Sequence, residues 1–114
     1  MQHYNVISTN DYGKQFVSID DLPLPDNPVN LFISQEFTEY QRPYGVTISQ
    51  NSVWYVTVNG YTFAIRKFDN HYTVESGYNF FAYISTWHKA LQLGVKCVCA
   101  VQLGYIVQWV KYPK

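Results

Sequence analysis

The sequence predicts an α+β fold, a mostly antiparallel sheet of about five or six strands with one main helix at about residues 79–93 packed on one face. Three observations carry this. Asn59-Gly60 stands between two runs of β-branched and aromatic residues, and a type I′ hairpin turn needs φ > 0 at both central positions. Only the stretch from Tyr78 to Leu93 spaces its apolar residues at helical period. The other apolar runs are short and bounded by turn residues.

Taken in order, Lys14 to Ile19 reads as a poorly alternating strand, and Val29 to Phe37 reads as strand or short helix. Between them Asp20 to Pro28 holds three prolines, which forbid helix there, so residues 20–28 are expected as a loop or extended arm with Leu22 and Leu24 packing along the domain. Val46 to Ser49 is a short strand. The hairpin from Ser52 to Phe68 has its register set by the two-residue turn. Val58 opposes Tyr61, Val56 opposes Phe63 and Trp54 opposes Ile65 on an apolar core face. Thr57 with Thr62, Tyr55 with Ala64 and Val53 with Arg66 share the other, wetter face.

After a turn at Phe68-Asp69-Asn70-His71, a short strand is expected at His71 to Val74. The helix follows, with Phe80, Ile84, Trp87 and Leu91 on one stripe, Ser76 or Asn79 as N-cap and Gly94 at its C-terminal end. Val95 to Val101 and Tyr105 to Lys111 are expected to close the fold as a hairpin around the three-residue loop Gln102-Leu103-Gly104, with Gly104 left-handed, pairing Val101 with Tyr105, Cys99 with Val107 and Cys97 with Trp109.

With 114 residues, 18% aromatic and only 14% charged, the chain is one ordered domain spanning 1–114, burying roughly two-thirds of its unfolded surface. No apolar run reaches the length of a membrane span, and the first residues lack the basic-then-apolar pattern of a secretory signal, so a cytoplasmic protein is expected. The net charge of zero divides unevenly. Up to Gly45, Lys14 and Arg42 face six acids for a net −4, whereas from Val46 onward six cations face Asp69 and Glu75 for a net +4. The halves are expected to cancel on folding.

Little in the sequence carries chemistry. Cys97 and Cys99, two apart on the expected strand, would hold their Cα atoms roughly 6.5–7 Å apart, at or beyond the limit for a disulfide. They are expected to be reduced and packed beside Trp109. His3, His71 and His88 show no metal-ligand spacing, and a thiolate pair of either cysteine with His88 lacks the exposed, electropositive setting such a nucleophile needs. No two of Asp20, Asp21, Asp26, Glu36 and Glu39 are spaced to converge, and no phosphate loop, nucleophile elbow or dinucleotide turn is present. Neither an enzyme, a metal nor a cofactor is expected.

Gly60-Tyr61-Thr62-Phe63-Ala64-Ile65-Arg66 resembles, over these seven residues, the aromatic strand motif of the RNA-recognition fold. The resemblance implies an alternative function, single-stranded nucleic-acid binding on a sheet face carrying Tyr61, Phe63, Arg66, Lys67, Lys96 and Lys111. The leading expectation is a protein-binding module. Eleven tyrosines and three tryptophans exceed what one small core buries, and Tyr, Trp and Arg are the residues enriched at interface hot spots. Tyr40, Arg42, Tyr44, Tyr55 and Tyr72 are the candidate contacts. The profile is that of an accessory protein from a phage or mobile element that inhibits or modulates a host enzyme, such as a CRISPR or other defence nuclease. The expected partner is therefore another protein, with nucleic acid and a homodimer as lesser options.

Overall fold

The computed structural model describes residues 3–25, 29–41, 48–77 and 79–109. Its strands are β1 (Val6–Thr9), β2 (Gln15–Ser18), β3 (Leu31–Gln41), β4 (Ile48–Val58), β5 (Tyr61–Lys67), β6 (Tyr72–Ser76), β7 (Asn79–Ile84) and β8 (Ile106–Gln108), with one α-helix, α1 (Trp87–Gln102), between β7 and β8 and a single 3-10 turn, Ile19–Asp21, after β2. The fold is α+β. Strands β3 to β7 form an antiparallel meander in chain order, and β1, β2 and β8 form a second, smaller sheet in which β8 runs parallel to β2.

The central hairpin follows local sequence chemistry. Asn59 and Gly60 take φ of 48° and 91°, and the pairs Val58–Tyr61, Val56–Phe63 and Trp54–Ile65 form as the turn requires. Of the segment Val29 to Phe37, residues from Leu31 onward resolve as strand, the start of β3; of the short strand expected at Val46 to Ser49, Ile48 and Ser49 begin β4, and residues 46 and 47 lie outside those described. The Asn59 amide donates to the Asn30 carbonyl at 3.1 Å and its side-chain oxygen accepts from the Asn30 amide at 3.2 Å, so the hairpin tip also anchors the start of β3.

The helix departs from expectation. Residues 79–84 are strand β7, and α1 begins eight residues later than expected and runs through Gly94 to Gln102, the segment read as a closing strand. Thr86, not Ser76 or Asn79, is the N-cap, its hydroxyl accepting from the Lys89 amide at 3.2 Å. Gly104 does adopt left-handed φ, at 96°, but as the end of the helix. The Tyr105 amide returns to the Ala100 carbonyl and the Gly104 amide to that of Val101, the two bonds of a Schellman cap.

The reason lies in the layering. Helix α1 packs between the two sheets: Ala90, Val95, Val98 and Cys99 join Val56, Val58, Phe63, Ile65 and Val74 of the large sheet, while Cys97 and Ala100 join Val17, Ile19, Leu22 and Val107. A helix buried on two sides has no polar face over those turns, so Val95 to Val101 loses the one-sided pattern that marks a surface helix. Small residues let the layers approach. A Cβ at Gly94 would meet the ring of Phe63. In the Pro-rich segment Asp20 and Asp21 depart from the expected loop and complete a 3-10 turn capped by the Ser18 hydroxyl, ahead of the first proline; Leu22 is buried as expected, whereas Leu24 is exposed and residues 26–28 lie outside those described.

Candidate protein-binding face

The meander has an inner face, under α1, and an outer face against which no described element packs. Strand alternation places Phe32, Ser34 and Glu36 of β3, Val53, Tyr55 and Thr57 of β4, Thr62, Ala64 and Arg66 of β5, and Thr73 and Glu75 of β6 on the outer side. Side-chain hydrogen bonds knit it, both between strands and along β6. Arg66 Nε donates to Glu75 Oε1 at 3.2 Å, Thr73 Oγ1 donates to the same oxygen at 3.5 Å, and the hydroxyls of Thr57 and Thr62 are 2.9 Å apart. Beneath them Val53 and Thr73 are buried.

At the β3 end of this face the polarity changes. Phe32, opposite Thr57, is 70% exposed, and half-buried Tyr55 stands diagonally from it, opposite Ser34. Strand β3 is also one of the sheet's two edges, with no strand beyond it among the described residues. On its inner side Leu31 and Ile33 are 41% and 39% exposed, because α1 packs over β4 to β7 and leaves β3 uncovered. Three consecutive apolar side chains are therefore open to solvent on both sides of one edge.

Of the residues expected to bind protein, Tyr55 lies on the outer face, but Tyr72 lies on the inner one, its ring centroid 6.3 Å from that of Trp54, which in turn sits 6.0 Å from Trp87. Tyr72 belongs to an aromatic cluster at one end of the core and does not share a surface with Tyr55. Tyr40 stands opposite Ser49 in the β3–β4 ladder, and Arg42 and Tyr44 lie outside the described residues. Phe32 was missed, because the run Leu31-Phe32-Ile33 has no alternation to show which side faces solvent.

The residues of the nucleic-acid alternative do not assemble into one platform. Phe63, 2% exposed and against the helix, is core and presents no ring for a base to stack on. Tyr61, 55% exposed, shares the inner side with it, whereas Arg66 is on the outer face and tied to Glu75. Lys67 is exposed at the end of β5 and Lys96 is on α1 rather than on a strand; Lys111 lies outside the described residues.

Cys97 and Cys99 are helical and buried, not strand residues facing Trp109 and Val107 across a hairpin. Burial pushes the Cys97 thiol up from 9.0 to about 12, against a smaller opposing effect of Lys96, and burial likewise raises Cys99. Neither is a poised nucleophile. His88 is exposed on α1, and the His71 ring stacks between Phe68 and Tyr83 at centroid distances of 4.9 and 4.7 Å. Among the described residues no three His, Cys, Asp or Glu side chains gather to hold a metal ion, and no helix is long and apolar enough to cross a membrane. No protein-family model matches the chain, and comparison with the curated proteins and with the solved structures finds no match either.

Proposed function

We propose that the chain is a small protein-binding module that docks a larger partner on the open outer face of its five-stranded sheet, around Phe32 and Tyr55. The observation that carries the reading is Phe32, a phenylalanine 70% exposed on a sheet face no described element covers. Leaving such a side chain in water forgoes roughly 1.5–3 kcal/mol of burial, which a partner's surface recovers. Phe and Tyr supply large contact area at low entropic cost, and the Arg66–Glu75 pair and the threonines provide a polar surround that helps exclude water. A face of this kind acts by occlusion, so the module modulates a larger enzyme by covering a surface that the enzyme needs.

The test is affinity capture from source-cell lysate, with and without nuclease, comparing wild type with the Phe32→Ala/Tyr55→Ala double variant. The expected result is a nuclease-insensitive partner whose retention falls at least about tenfold in the double variant, since two truncated anchors cost on the order of 2 kcal/mol or more. Circular dichroism checks that the fold is unchanged. A partner retained equally by the variant, or recovery only of nuclease-sensitive material, would overturn the proposal.

A further inference from the structure

We infer that the free edge of β3 pairs with the same edge of a second copy, joining two large sheets into one continuous sheet about a twofold axis at Ile33. This does not depend on the binding function proposed above.

The argument begins with the backbone. The Asn59 amide donates to the Asn30 carbonyl one step beyond the Leu31–Val58 end of the antiparallel β3–β4 ladder, so Asn30 and Asn59 face each other with their backbone groups turned inward and set the phase of the ladder. Alternation then turns the amides and carbonyls of Phe32, Ser34 and Glu36 toward β4, and those of Leu31, Ile33 and Gln35 away from the sheet. The two-residue hairpin gives the same phase from the other side, because it makes Val58–Tyr61 a hydrogen-bonded pair and so turns Thr57 toward β3.

Comparison of the edges shows which one is built to pair. An unprotected edge is normally blunted by bulges, proline, lysine or short length. Strand β7, at the other end of the large sheet, pairs irregularly with β6 and holds Tyr83 at φ 61°, and β1 has a register shift against β2. Strand β8 has three residues. Strand β3 has eleven residues in unbroken register with β4, and its sequence contains neither proline nor lysine.

The side chains select the partner and the register. A twofold axis normal to the sheet pairs residues of equal parity, and centring it on Ile33 places Ile33 against its own copy, Leu31 against Gln35 and Phe32 against Ser34. About six new backbone hydrogen bonds form across three hydrogen-bonded pairs. The exposed Leu31 and Ile33 of both copies become neighbours on one side, and the two Phe32 rings become diagonal neighbours on the other. The acids stay apart. Each Glu36 faces Asn30 of the other copy, and the two Glu36 residues lie about 20 Å from one another along the strands, beyond the ~8 Å Debye length of physiological salt.

Site-specific cross-linking tests the register. Opposed residues of a hydrogen-bonded antiparallel pair hold their Cα atoms about 5.5 Å apart, within reach of a disulfide, so Ile33→Cys is expected to convert mostly to covalent dimer under mild oxidation while Gln35→Cys, offset from its own copy, stays monomeric. The native thiols are buried and do not compete in the folded chain. Wild type should run at twice 13.3 kDa by light scattering at the top of a concentration series. Ile33→Pro, which removes an outward amide without touching the β4 ladder, and Ile33→Lys should each run at 13.3 kDa with an unchanged circular dichroism spectrum. Wild type that stays monomeric throughout the series, or cross-linking no greater at Ile33→Cys than at Gln35→Cys, would overturn the inference.

Discussion

Gly94→Ala is the sharpest single perturbation of this fold, because two physical effects of opposite sign act on one methyl group. Gly94 lies in the middle of α1, where alanine is favoured over glycine by about 0.8–1.0 kcal/mol. If only helix propensity mattered, the variant would be more stable. The added Cβ, however, falls within 3.0 Å of three carbons of the Phe63 ring, whereas carbons in contact sit at about 3.5–4.0 Å. The ring is 2% exposed between strand and helix, so to relieve the overlap it must turn into the small cavity, about 110 Å³, that it lines with Gly94, Val98 and Trp109. Overpacking of this kind costs about 1–3 kcal/mol, and overlap with three ring atoms puts it at or above the upper end. The net expectation is a loss of about 2 kcal/mol, lowering the urea midpoint by roughly 1 M. Trp54, Trp87 and Trp109 all pack against the large-sheet core, so tryptophan fluorescence reports the transition directly. Adding Phe63→Leu should recover part of the loss, a coupling on the order of 1 kcal/mol. A Gly94→Ala variant as stable as wild type, or more so, would refute the packing of α1 on Phe63.

Two further predictions concern the hairpin and the thiols. Asn59 holds φ 48° and bonds to Asn30, while Gln102 Nε2 donates to the Val58 and Asn59 carbonyls, so Asn59→Ala should cost about 1–2 kcal/mol and Asn59→Gly, which keeps the backbone freedom, distinctly less; equal losses in chemical denaturation would refute the role of left-handed geometry. Cys97 keeps its proton more tightly when folded, so its contribution to stability is complete below pH 9.0 and is lost as pH rises from 9.0 toward about 12. Cys97→Ala should therefore show a shallower alkaline decline than wild type, and iodoacetamide should label wild type near pH 8 much more slowly folded than unfolded. Prompt labelling of the folded protein would contradict the burial.

What the sequence revealed and what it hid follow one physical divide. Features written in local chemistry were readable: the Asn59-Gly60 turn with its register, the turn before β6, and Gly104 as a left-handed residue. Features set by the third dimension were not. Phe80 and Ile84 continue a helical spacing into Trp87, but Thr86 caps the helix after them, and a bulged strand β7 uses the residues before it. Cys97 and Cys99 read as a strand because the helix bearing them is covered by two sheets. The same limit applied to the surface. Tyr55 lies on the wetter face of the hairpin as its pairing with Ala64 implies, but Tyr72 is separated from it by the sheet itself, and the exposure of Phe32 depends on what packs against the outer face, which no local pattern encodes.

The proposal that a partner docks on the outer face is tested most directly by hydroxyl-radical footprinting of the chain, free and bound to its captured partner. Phe32 and Tyr55 should lose reactivity in the complex, while Tyr12 and Tyr83, exposed at the β1–β2 turn and on β7, keep theirs. Protection of Tyr12 or Tyr83 with Phe32 and Tyr55 unchanged would contradict the account and move the binding surface away from the open sheet.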